Sequence, residues 1–339
     1  MKLPVKNIDL EKRVFAASDE NFTELALELF RFQYQYNITY RQYCDTRNVK
    51  ADKVDLIEQI PFLPIQFFKS HQIKSTDFEA GAVFESSGTT TSTNSRHFVK
   101  DTGLYKKSFT KAFEKFYGTT KSKCILGLLP SYLERNNSSL VFMVDELIRE
   151  SNNGLSGFYL YDYDKLYRTI LHNEILKQPT ILVGVTYALL DFATKYPMQL
   201  RHTIIMETGG MKGRREEMTR QQVHKELQNN FGVALVHSAY GMTELLSQAY
   251  SKGDGIFHCP PWMKILIREE DDPFSIVVPD MIKAKPATGA INIIDLANLY
   301  SCSFIASEDA GRLYSNNSFE VLGRMDNTDI RGCSLMTIG

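Results

Sequence analysis

The chain reads as an α/β fold built on a largely parallel sheet, and three observations carry that reading. Short unbroken apolar runs such as Cys124–Pro130 and Thr180–Val185 have the length and the all-round hydrophobicity of strands buried on both faces. Segments with apolar residues at helical spacing alternate with those runs, as in a sheet covered by helices. From Trp262 onwards the alternation stops and strand-like segments follow one another, so a β-rich portion closes the chain.

The elements follow in order. Asn21 to Tyr34 places Leu25, Leu27, Leu29, Phe30 and Phe32 at helical spacing, with Ser18 or Asp19 as the cap. Pro61 to Lys69 is punctuated by prolines, and its aromatic residues either join the core or line a ligand pocket. Thr102 to Tyr117 is an amphipathic helix. The strand Cys124–Pro130, the helix Leu140–Arg149, the strand Thr180–Val185 and the helix Tyr187–Lys195 come next. His202–Met206 is a third strand, which delivers Glu207-Thr208-Gly209-Gly210 at its C-terminal end. A charged helix, Met218–Asn229, leads to a fourth strand, Val233–His237. Met263–Arg268, Ser275–Val278, Gly289–Ile294 and Ser318–Leu322 supply the β-rich portion. In such sheets ligands bind beyond the carboxyl ends of the strands, where the Gly209-Gly210 turn and the segment around Tyr240 both fall.

Composition narrows the function classes. The chain has 339 residues, 43% hydrophobic and 23% charged, with a net charge of −1. Nothing in that balance recruits nucleic acid or an anionic membrane surface. Met1 to Arg13 lacks the apolar core of a secretory signal, and the longest apolar run, Thr180 to Ala193, is too short and interrupted to span a bilayer. The expected compartment is the cytoplasm, without membrane insertion. The five cysteines (Cys44, Cys124, Cys259, Cys302, Cys333) are scattered and never spaced Cys-x-x-Cys, which argues against a disulfide framework or structural zinc. His258 and Cys259 with His237 form a weak candidate, because adjacent ligands on a strand point to opposite faces.

Three stretches have no packing rationale. Phe84 to His97 carries eight hydroxyl side chains around Gly88, which suits either a solvated loop or a cradle for phosphate oxygens. It is not a Walker loop, since Gly-Lys-Ser and Gly-Lys-Thr occur nowhere in the chain. His237-Ser238-Ala239-Tyr240-Gly241-Met242-Thr243-Glu244 lies far downstream, and Gly323-Arg324-Met325-Asp326 follows near the C-terminus. Read separately, Tyr240 suits a half-buried core tyrosine, and the isolated charges suit a solvated surface.

In order and spacing, these stretches resemble the phosphate loop, the Tyr-Gly-x-Thr-Glu motif and the hinge region of the adenylate-forming superfamily. Glu207 to Arg215, Tyr240 to Gln248 and Arg331-Gly332-Cys333 narrow the resemblance to the acyl-protein synthetase (LuxE-like) family, the fatty-acid-activating component of bacterial luminescence reductase systems. The resemblance implies the N-terminal-domain fold of adenylate-forming enzymes with largely parallel sheets. It also implies one domain over 1–339: an α/β part to 260, a β-rich subdomain over 261–324 and a short tail over 325–339. The superfamily's mobile C-terminal lysine domain is expected to be absent.

The resemblance further implies ATP and Mg²⁺, a carboxylic or fatty acid substrate and a reductase-type protein partner. Ser86, Ser87, Gly88, Thr89, Thr90 and Thr91 would hold the phosphates. Tyr240 would stack on adenine, with Gly209 and Gly210 letting backbone approach it, and Gly241 would belong to the same nucleotide-binding set. Thr243 would bond the α-phosphate and Glu244 would ligate Mg²⁺. Asp309 would bind ribose, although Ala306-Ser307-Glu308-Asp309 departs from the commoner Thr-Gly-Asp and leaves Glu308 as a rival. Arg324 would reach ribose or α-phosphate, and Cys333 would accept the acyl group, helped by Arg331. Lys212, Arg214 and Arg215 form a positive cluster that suits a solvated helix start equally well. A phenylacetate-type acyl-CoA ligase and a non-catalytic nucleotide- or acyl-binding subunit are the rival functions.

Overall fold

The structure of the protein, a computed structural model, describes residues 6–86, 94–130, 137–210, 218–269 and 275–325. The backbone gathers into two units. One holds the described residues of 1–81, 95–100 and 258–339, the other those of 82–94 and 101–257.

The first unit begins with α1 (Lys6–Val14), α2 (Phe22–Tyr36) and α3 (Ile38–Thr46). The apolar stripe of α2 is buried, including Leu25, Leu29, Phe30 and Phe32. Its N-cap is Asn21 rather than Ser18 or Asp19, and the Asn21 Oδ1 accepts from Ser18 N at 2.8 Å. Gln33 is the unexpected member of that stripe. Its Nε2 donates to Asn298 O (3.1 Å), Leu299 O (3.0 Å) and Ser303 Oγ (3.1 Å), and its Oε1 accepts from Ser303 N at 2.9 Å. A fully satisfied buried amide of this kind fixes which distant segment the helix packs against. The proline-punctuated run follows as β1 (Leu63–Pro64) and the short α4 (Phe67–Ser70). β2 (Ala82–Glu85), which opens the second unit, and β3 (Arg96–Val99), back in the first, flank the hydroxyl-rich stretch.

The second unit is the predicted α/β layer. It comprises α5 (Thr102–Tyr117), β4 (Cys124–Leu128), α6 (Ser139–Ser151), β5 (Gly157–Phe158), α7 (Tyr163–Ile175), β6 (Thr180–Gly184) and α8 (Thr186–Lys195). β7 (Thr203–Glu207), α9 (Arg220–Phe231), β8 (His237–Tyr240) and β9 (Ala249–Ser251) complete it. Its strands run in the order β9-β8-β7-β6-β4-β5, parallel throughout except for the β8–β9 pair. Every residue of β4 and β6 is buried, as expected for strands covered on both faces. The fourth strand differs from its predicted range. Val233–Val236 is the exit from α9, whose Gly232 cap has φ +61°, and pairing starts only at His237. Leu235 is 46% exposed there, so the apolar run was no register signal.

β10 (Phe257–His258) leads back to the first unit, where β11 (Met263–Arg268), β12 (Ile276–Val277), β13 (Ala287–Asp295), β14 (Phe304–Leu313) and β15 (Phe319–Arg324) form an antiparallel array. Its order is β12-β11-β13-β14-β15, with β1 added parallel to β14. Sequence patterning anticipated four of these strands and missed β14. That strand mixes Ser307, Glu308 and Asp309 into its middle and shifts register at Ala310/Gly311. Gly311 is required there by contact, since a Cβ would lie 2.6 Å from Ile291. Among the described residues, no helix is long and apolar enough to cross a membrane.

Candidate active site

In the second unit, β7 and β8 run side by side, with the last residue of β7, Glu207, registered opposite Ser238, two residues before β8 ends at Tyr240. Both expected motifs therefore leave the same edge of one sheet. Glu207 is the last residue of β7, only 7% exposed, and its carboxylate organises the turn that follows. Oε1 accepts from Gly209 N at 2.7 Å and from the Thr186 hydroxyl. Oε2 accepts from Ser238 Oγ at 3.3 Å. Ser238 Oγ also lies 3.3 Å from His224 Nε2, and burial pulls the His224 pKa down against the upward pull of Glu207.

Gly209 and Gly210 have φ +80° and +94°, a backbone region that side chains with a Cβ rarely adopt. Their carbonyls cap the start of α8, accepting from Thr186 N (3.2 Å) and Tyr187 N (3.5 Å). The helix has no side-chain cap of its own, so this turn satisfies its first amides.

Tyr240 ends β8 nearly buried, its ring edge-on to Phe257 at 6.0 Å. Gly241 to Glu244 leave the strand, and Leu245 N closes a turn onto Met242 O at 3.1 Å. Glu244 is 4% exposed. Ser247 Oγ lies 3.1 Å from Ser108 Oγ on α5, which ties the segment down. Gln248 lies over Gly241, with its Cγ 3.2 Å from where a Cβ would stand, and its buried Oε1 has no hydrogen-bond partner among the described residues. Earlier on the strand, His237 Nδ1 is 3.3 Å from Tyr117 OH, and burial together with Lys252 brings the His237 pKa down to about 4.

The hydroxyl-rich stretch leaves β2 from a fixed base. Glu85 N donates to Asn137 O at 2.8 Å, and Phe84 packs against Tyr105 and Phe142, each at 5.5 Å. Ser86 is half-buried at the end of that strand. Ser87, Gly88, Thr89, Thr90 and Thr91 lie outside the described residues, as do Lys212, Arg214, Arg215, Arg331 and Cys333.

In the first unit, Asp309 on β14 is registered directly opposite Arg324, the last residue of β15. Asp309 N donates to Ser307 Oγ at 3.2 Å, and Met325 N donates to Glu308 O at 2.7 Å. Glu308, the rival for the ribose role, accepts from Gln66 Nε2 at 2.7 Å. Among the described residues, no group of three or more His, Cys, Asp or Glu could hold a metal ion by itself. Sequence reasoning passed over Glu207, Thr186, His224 and Gln248 as functional positions. A lone carboxylate ending an otherwise apolar strand was the available signal for Glu207.

Comparison with known proteins comes down to one family match and a fold. Residues 6–131 match the family model described as acyl-protein synthetase, LuxE. No curated protein sequence matches the chain. Among solved structures, ATP-bound MatB from Rhodopseudomonas palustris aligns with a TM-score of 0.54 and 15% identity, over 74% of this chain and 49% of that one. The O-succinylbenzoate coenzyme A synthetase MenE from Bacillus subtilis, in complex with ATP and magnesium ion, aligns with a TM-score of 0.52 and 15% identity, over 91% of this chain and 64% of that one. The chain thus has the fold of these adenylate-forming enzymes, and it spans about half the length of the first.

Proposed function

Because residues 6–131 carry the acyl-protein synthetase pattern on a chain with the adenylate-forming fold, we propose that it activates a carboxylic acid with ATP. The product is an acyl-adenylate, whose acyl group then passes to Cys333 and on to a reductase-type partner. The observation that carries the reading is the shared edge of β7 and β8, where the Glu207-held glycine turn and the Tyr240–Glu244 segment emerge together. Its chemistry fits a nucleotide. The positive-φ glycines leave backbone open to close approach, and the Gln248 acceptor, which has no donor among the described residues, stands beside Gly241. The buried carboxylate of Glu244 suits Mg²⁺, which takes one or two carboxylates and completes its shell with phosphate oxygens and water. When bound, that ion would neutralise charge on the triphosphate.

The protein's own work is positioning. Tyr240 offers a ring face to the purine, and Gly209 and Gly210 offer backbone. Thr243 donates to the α-phosphate, and Ser86 to Thr91 hold the β- and γ-phosphates. Asp309 and Arg324 bind the ribose and α-phosphate. A carboxylate oxygen of the acid attacks the α-phosphorus, and the bond to pyrophosphate breaks with pyrophosphate leaving. The Cys333 thiolate then attacks the acyl carbon, a thioester forms, and AMP departs. A fatty acid is the substrate class that the family implies.

The test is pyrophosphate release with a panel of carboxylic acids, followed by intact-mass measurement. A gain of one acyl mass that neutral hydroxylamine removes is the expected result. Pyrophosphate release with no acylated protein, and coenzyme A consuming the adenylate, would assign a CoA ligase instead. Absence of release with every acid would leave only a nucleotide-binding role.

A further inference from the structure

The first unit holds a partly open cavity of about 430 Å³, a size typical of small-molecule sites. Its floor is the sheet, with Arg268 of β11, Asn292 of β13 and Ser307 of β14. Tyr43 and Arg47 at the end of α3 and the Ile60–Gln66 run form the rest of the wall. Arg268 is half-buried and extends across three strands, its Nη1 donating to Asn292 Oδ1 at 2.5 Å and its Nη2 to Ser307 O at 3.2 Å. Those two bonds use two of five guanidinium donors, and both acceptors are neutral. Among the described residues, no carboxylate lies within ion-pair distance of it. Burial pushes its pKa down, the signature of a cation short of hydration and of counter-charge. A guanidinium fixed in orientation, facing a cavity and lacking an anion, is a ready fork for one.

The rest of the lining says what kind of anion. Val49, Ile60, Phe62, Ile65 and Ile276 make much of the surface apolar. Glu58 and Glu308 also line it, and Glu308 is already engaged by Gln66. Two carboxylates repel a dianion such as a phosphate monoester more than a monoanion. The geometry points to a second ligand site in this cavity, taking a small monocarboxylate with an apolar body whose carboxylate is held by Arg268. None of the residues given a role in adenylation lines it.

The test measures binding to the full chain by calorimetry without ATP, using 4-phenylbutyrate, 4-phenylbutyramide and phenyl phosphate as probes. The acid is expected to bind and the amide and phosphate to bind far more weakly. Arg268→Gln should weaken the acid about 10- to 100-fold, the range for losing a charge-assisted hydrogen bond. Ala306→Met keeps Arg268 but fills the cavity from the floor, and should abolish binding. Pyrophosphate release should stay within about twofold of wild type in both variants, because adenylation uses other residues. Four results overturn the site: no binding of the acid at millimolar concentration, equal binding of acid and amide, unchanged binding in either variant, or loss of binding only together with pyrophosphate release. The last would mean that the acid occupies the adenylating site. If Arg268→Gln does not fold, Ala306→Met decides the question alone.

Discussion

Replacing Glu207 tests whether a carboxylate holds the Gly209–Gly210 turn or whether the turn merely follows the backbone. In Glu207→Ala, three donors lose their acceptor: the Gly209 amide, the Thr186 hydroxyl and the Ser238 hydroxyl. A buried donor left unmet costs about 1–3 kcal/mol. The two hydroxyls can rotate, Ser238 towards His224, whereas the Gly209 amide cannot turn away. Gly209 is half-buried, so water meets part of that amide's need and the sum is about 2–4 kcal/mol, most of it from the lost packing. Glu207→Gln keeps an oxygen for Gly209 and Thr186 and presents its NH₂ to Ser238 Oγ, which can accept. It loses only charge assistance, about 1–2 kcal/mol. Urea unfolding of both variants beside wild type gives the stability difference, and the KM for ATP in pyrophosphate release reports the turn. The alanine variant should be clearly the less stable and should raise KM more. Equal costs for Gln and Ala, or an alanine variant within about 1 kcal/mol of wild type, would refute the carboxylate as the turn's anchor.

Other outcomes follow from the same geometry. Glu244→Gln keeps the shape and removes the charge, so pyrophosphate release should fall about 10²-fold or more, and an unchanged rate removes Glu244 from the reaction. Asp309→Asn should raise the KM for ATP with little change in kcat, whereas Glu308→Gln, on a residue bonded to Gln66, should not; the reverse result would move the ribose role to Glu308. Cys333→Ser should still release pyrophosphate but lose the acyl mass, and full acylation of that variant would assign another cysteine. His237 has a folded pKa of about 4 beside Tyr117 and Lys252, against about 6.5 in the unfolded chain. The unfolded state therefore binds the extra proton first, so this contribution is complete above pH 6.5 and is lost as pH falls towards 4. For a half-exposed ring it is about 1–2 kcal/mol after screening, and His237→Gln should flatten the stability profile between those pH values by that amount.

The hydroxyl-rich stretch and the two downstream segments stand out in the sequence because no burial pattern explains them. A hydroxyl-rich stretch, paired glycines and a Tyr-Gly-Met-Thr-Glu run cannot be explained by a core, so they stand out against apolar strands. The parallel sheet of the second unit was legible for the complementary reason. Strands buried on both faces, such as β4 and β6, are apolar throughout, and the helices between them repeat on one face.

What sequence determined by itself is thus local: which segments bury a face, where helices stop, and which stretches a core does not explain. Partnership belongs to the tertiary structure. Periodicity says that α2 has a buried side, but only the amide of Gln33, bonded to residues some 265 positions away, says that the β13–β14 connection covers it. The same holds for β14, a strand whose polar centre is stabilised by neighbours on both sides, and for Val233–Val236, apolar yet outside the sheet. Glu207 and Arg268 show the limit most plainly. Each is one charged residue at the end of an apolar strand, and nothing in their local sequence separates them. Three converging donors make the first a structural anchor. Two neutral acceptors, with no carboxylate in ion-pair reach among the described residues, make the second the proposed anion fork, because the role of a buried charge is set by what the fold brings within hydrogen-bond reach.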